Sequence, residues 1–178
     1  MSVHILPAQG VIDAVKQAIV GSTPLPAAVC FDFFDTLVSR SVPPENTKKL
    51  AAEKLSERVD NLLHADEIYQ LRSLLEQRLC RENRRAGYDA EFSLVELAGA
   101  MAGRFRQGGF LERTSDRQDF INRFVDIELI VEKEVQRINK ELVNLLKYCH
   151  DKGVSTAIIS DFYLSGRYFH DLLVYHGL

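Results

Sequence analysis

The residues best placed to do chemistry stand at the ends of two apolar runs. The first, Ala27-Ala28-Val29-Cys30-Phe31-Asp32-Phe33-Phe34-Asp35-Thr36-Leu37, is rich in strand formers and is entered through Pro24 and Pro26. A carboxylate is costly inside such a run, so Asp32 is expected where a strand emerges from the core, at its C-terminal end. The second run, Val154 to Ile159, follows the helix-closing pair Lys152-Gly153 and ends in Ser160-Asp161. Open α/β sheets keep their ligand sites at the C-terminal ends of parallel strands. Two strands that finish in Asp and Ser can therefore bring a carboxylate nucleophile and a hydroxyl donor to one crevice.

FDFFDTL followed far downstream by IISDFYLS resembles motifs I and II of the haloacid dehalogenase-like (HAD) superfamily. The nearer likeness is to a bacterial branch of hydrolases that reads FDxFDTL and SDxYLS and is often associated with glycan-biosynthesis genes. The resemblance implies an α/β fold: a HAD-like, Rossmann-like parallel sheet, partial here, with an inserted all-helical cap. Residues 1–40 and 139–178 would be the core and residues 41–138 the cap. It implies a cytoplasmic hydrolase, a Mg2+-dependent phosphatase that acts on a small phosphorylated metabolite such as a sugar phosphate through an aspartyl-phosphate on Asp32. Thr36 is then the motif I threonine and Ser160 the phosphate-binding hydroxyl of motif II. Mg2+ would take the Asp32 carboxylate and the backbone carbonyl of Phe34.

Two departures from that pattern bear on the chemistry. HAD phosphatases carry an Asp two residues after the nucleophile to protonate the leaving oxygen, and here Phe34 stands in its place. Asp35 is next door, but strand alternation points it to the opposite face unless the turn has already begun, and an Asx turn is its plainer role. Asp161 can orient a substrate hydroxyl or simply open a loop. The dehalogenase members carry Tyr at the Phe34 position, since a halide leaves without a proton, which keeps C–halogen hydrolysis as an alternative. The second departure is that the family's third strand, motif III Lys or Arg and motif IV acidic residues have no counterpart in these 178 residues. An octahedral ion is left short of protein oxygens, and a non-catalytic HAD-like binding module is a further alternative. The chain alone is expected not to turn over a generic aryl phosphate. Two parallel strands rarely make a stable sheet, so each should keep an unpaired edge and an uncovered apolar face. That implies self-association, or a C-terminal segment or domain that completes the sheet.

Composition narrows the function classes. The chain is 46% hydrophobic and 26% charged, with a net charge of −3 and Lys and Arg scattered along helices, which gives no basic field for nucleic acid. Cys30, Cys80 and Cys149 are odd in number and far apart, and read as buried free thiols rather than disulfides. The five histidines are dispersed, with no zinc spacing. No run reaches the roughly 18 apolar residues of a membrane span, and no signal peptide is recognisable.

The elements that must hold Asp32 and Ser160 follow from periodicity. Val11, Ile12, Val15, Ala18 and Ile19 predict a helix from about Ala8 to Val20, stopped by Gly21. Pro44 suits the first turn of a helix carrying Leu50, Leu55, Val59 and Leu62, and Ile68 to Leu79 mark the next. Arg78, Arg81, Arg84 and Arg85 on that second helix are positioned to meet an anionic substrate, or to form a solvated face. Ser93 and Glu96 form a capping box before a third helix that Gly108-Gly109 ends. From Phe120 to Cys149 helical spacing hardly breaks, which predicts one long helix or two, with Asn139 the candidate hinge because the resemblance places the end of the cap near there. Ser165 is a candidate cap for a last helix.

Overall fold

The computed structural model describes residues 8–21, 28–58, 63–111, 114–160 and 166–178. In chain order its elements are α1 (Ala8–Gly21), β1 (Ala28–Asp32), β2 (Val38–Arg40), α2 (Pro44–Arg58), α3 (Ala65–Arg85), α4 (Leu94–Gln107), α5 (Thr114–Val135), β3 (Gln136–Ile138), α6 (Lys140–Asp151), β4 (Ser155–Ile159) and α7 (Gly166–His176). The protein is mixed α/β and mostly helical. Its strands form one parallel pair, β1 with β4, and one antiparallel pair, β2 with β3. The chain divides into two compact units: the described residues of Met1–Ser41 and Gln136–Asp161 with Leu178, and those of Val42–Val135 and Phe162–Gly177.

In the first unit, α1 packs on α6 and α6 on β4. The spacing that predicts α1 also buries it, through Ile12 and Ile19, while Val143, Leu145 and Cys149 form the inner face of α6. Asn139 caps α6 as its side chain accepts from the Leu142 N–H at 3.3 Å. At the other end Gly153 takes φ 76°, its N–H bonding to the His150 carbonyl while Val154 N–H returns to Cys149. This Schellman closure turns the chain from helix into β4, and only glycine enters it without strain.

Of the two readings of the long periodic stretch, the structure shows two helices, α5 and α6, with Asn139 the N-cap of the second. The expected continuation of helix through 136–138 is corrected: Gln136–Ile138 pair with β2, with Val38 opposite Ile138. The reason is the change of period, since Gln136 is buried, Arg137 exposed and Ile138 half-buried, and strand pairing satisfies backbone groups that a helix would have bonded internally. Cys30 is a second correction. It is exposed, because in β1 only Phe31 is buried and Ala28, Cys30 and Asp32 alternate to the open side. Ser155, Ala157 and Ile159 do the same in β4. Among the described residues the parallel sheet has these two strands, with that face exposed.

In the second unit, α2 packs on α3 and α5, α4 joins α3 to α5, and α7 lies on α5. Its core is Leu94, Leu97, Met101 and Phe105 of α4, with the Phe105 and Phe120 rings packed at 4.9 Å between centres and tilted by 43°. The Ser93–Glu96 capping box forms as read, Ser93 accepting from the Glu96 N–H and Glu96 from the Ser93 N–H. Val59, Leu62 and Ser165 lie outside the described residues. Among the described residues no helix is long and apolar enough to cross a membrane.

Candidate functional site

Parallel pairing of β1 with β4 fixes the register Ala28 to Ser155 through Asp32 to Ile159. Asp32 is thus the last residue of its strand, level with Ile159, and Ser160 follows one step beyond at the same C-terminal end. Asp32 is exposed and Ser160 half-buried. Asp161 lies outside the described residues.

A tight turn follows β1. The Phe33 carbonyl accepts from both the Leu37 and Val38 N–H groups at 3.0 Å, which folds Phe33–Leu37 into a single compact turn. Phe33, Leu37 and Val38 are fully buried and anchor the turn in the core, while Phe34 and Thr36 between them are half-buried and Asp35 is exposed. Asp35 takes φ 55°, a conformation that Asp tolerates better than most residues. The turn has therefore begun before Asp35, the condition under which its carboxylate need not follow strand alternation.

That turn brings Thr36 back onto Asp32. The Thr36 hydroxyl donates to Asp32 Oδ2 at 3.4 Å, at the long end of a hydrogen bond. Among the described residues Asp32 has no ion-pair partner, and its carboxylate stands at the strand end with one hydroxyl beside it. Such a carboxylate can attack an electrophile or bind a cation.

The structure also assigns Phe34 an environment. Its ring meets Phe33 edge to face at 5.0 Å, and the Arg40 guanidinium stacks 4.1 Å from its centre. Sequence reasoning passed over Arg40. The available signal was its place two residues after buried Val38 on the same face of a strand.

Mg2+ demands near-octahedral oxygens and keeps several waters. The protein oxygens expected to hold it are the Asp32 carboxylate and the Phe34 carbonyl, and no group of three or more His, Cys, Asp or Glu comes together among the described residues.

Comparison of the chain with protein-family models and with curated proteins found no match.

Proposed function

We propose that the strand end formed by Asp32, Thr36 and Ser160 is a phosphoryl-transfer site of a HAD-like hydrolase acting on a small phosphorylated metabolite. The observation that carries this reading is the register that sets Ser160 one step beyond Asp32, with the Thr36 hydroxyl at the Asp32 carboxylate. Asp32 attacks phosphorus as the bond to the leaving oxygen breaks, giving an acyl phosphate. Water then attacks that phosphorus, releasing inorganic phosphate and restoring the carboxylate. The transition state spreads negative charge over the phosphoryl oxygens, where the Thr36 and Ser160 hydroxyls donate. Mg2+ held by Asp32 and the Phe34 carbonyl would neutralise part of that charge. The leaving oxygen takes its proton from water or from Asp35, the nearest acid in the turn.

The first half-reaction is the test. Incubation with acetyl phosphate and Mg2+ should add one phosphoryl group to the peptide containing Asp32, read by intact and peptide mass, and Asp32→Asn should abolish it. Failure to label, or labelling that survives Asp32→Asn, would overturn the reading.

One observation favours a second reading. Phe34, stacked under Arg40, cannot supply a proton, which suits a leaving group that departs as an anion. In C–halogen hydrolysis the Asp32 carboxylate displaces halide from carbon, and water hydrolyses the resulting ester. Asp32-dependent chloride release from a 2-chloro acid, without phosphoryl labelling, would select this reading.

A further inference from the structure

A groove of about 440 Å3 opens on the helical unit, within the size range of small-molecule sites. One wall is a stripe of α3, with Gln77, Cys80, Arg81 and Arg84 at spacings of three and four residues that share a helix face. The other carries Ala90 and Phe92, from the segment between α3 and α4. That segment is tied down. Gly87, at φ 86°, closes α3 with its N–H on Arg84, and Tyr88 N–H returns to Asn83. The Asn83 side-chain amide then donates to the Glu91 carbonyl at 2.6 Å, one residue before Phe92.

The charges are unevenly satisfied. Glu76, on the groove wall, is held by Arg72 and by Lys48, each at 2.8 Å. Glu82, the other nearby acid of α3, is held by Arg78 at 2.9 Å. Arg81 and Arg84 are both exposed, and among the described residues neither has a carboxylate partner, the Arg81 Nε–H going to the Gln77 carbonyl at 3.1 Å. Two guanidinium groups one turn apart thus line a groove whose one lining carboxylate, Glu76, is already paired, beside the half-buried Phe92 ring.

We propose that this groove binds a small phosphate monoester with a flat apolar body, its phosphate forked by Arg81 and Arg84 and its apolar part against Phe92 and Ala90. Guanidinium matches phosphate oxygens two at a time, and an aromatic neighbour recognises the ester group that inorganic phosphate lacks. The site is independent of Asp32, and its failure would leave the phosphoryl-transfer reading untouched.

Cys80 lies in the groove and reports on it directly. It is half-buried, Cys149 is buried and Cys30 is exposed, so in a Cys30→Ser background a neutral alkylating reagent reads Cys80. Saturating phenyl phosphate should slow Cys80 alkylation several-fold, and phenol and inorganic phosphate should each protect far less. Replacing both arginines by Gln should weaken that protection at least about tenfold in half-saturating concentration, as loss of charge-assisted hydrogen bonds does. Both arginines are exposed, and circular dichroism verifies that the double variant remains folded. An unchanged alkylation rate with phenyl phosphate would overturn the proposal, as would protection that survives in the double variant or equal protection by inorganic phosphate.

Discussion

The backbone N–H of Asn139 donates to the Leu37 carbonyl at 2.8 Å, tying the end of the turn after Asp32 to the residue that caps α6. Since α6 leads through Gly153 into β4, one main-chain bond links the supports of Asp32 and Ser160. Asn139→Ala keeps that bond and removes the cap on Leu142 N–H, so it should cost about 1 kcal/mol in urea unfolding. Asn139→Pro, which fits φ −84° but lacks the N–H, should cost more. Equal losses would mean that the link to Leu37 contributes nothing.

Arg72 is the largest buried charge of the helical unit. It is 2% exposed, bonds both oxygens of Glu128, which is equally buried, and also meets Glu76. Glu128→Gln leaves Arg72 with Glu76, an acid it shares with Lys48, so the loss should be about 1–3 kcal/mol, whereas Arg72→Met with Glu128→Leu should recover much of it. Chemical denaturation of the two variants decides this, and a larger loss in the double variant would contradict it.

Glu45 gives a pH signature. The Tyr69 hydroxyl at 2.8 Å, then Lys48 at 3.1 Å, hold its carboxyl below the ordinary value of 4.5. A depressed folded-state pKa contributes stability that is present above the unfolded value and lost as pH falls through the folded one. Stability should therefore decline from about pH 4.5 downward, and Glu45→Gln should weaken that decline without altering the slope at neutral pH. An acid limb identical in the variant would refute the assignment.

The exposed face of the parallel sheet carries Cys30, Ala157 and Ile159, the last 57% exposed. We expect copies of the chain to associate through it as concentration rises. Ile159→Lys should shift the light-scattering midpoint to higher concentration. A monomer across the whole dilution series would contradict this expectation.

What the sequence made legible was whatever rests on local rules. The Ser93–Glu96 box, the helix stops at Gly109 and Gly153 and the strand ending at Asp32 each follow from one or two residues in a known backbone role. The ribbon of β2 and β3 was not legible. It joins residues about a hundred positions apart, and Val135 and Ile138 keep helical spacing until pairing with Val38–Arg40 overrides it. Arg40 was missed for the same reason, since its contact with Phe34 depends on where the turn after Asp32 ends. Cys30 was misread because an apolar run shows no alternation, and only the packing shows which side of the strand is covered. Arg81 and Arg84 were visible as a charge run, but the pairings that occupy Glu76 and Glu82 were not.

Asp32, Thr36 and Ser160 are proposed to surround one phosphoryl position. Beryllofluoride mimics a phosphoryl group on a carboxylate, and its binding in the presence of Mg2+ can be followed by 19F resonances and by backbone amide shifts. A bound 19F signal with amide shifts at both Thr36 and Ser160, all absent in Asp32→Asn, is the predicted result. Shifts confined to one of the two strand ends, or a bound signal that persists in Asp32→Asn, would contradict it.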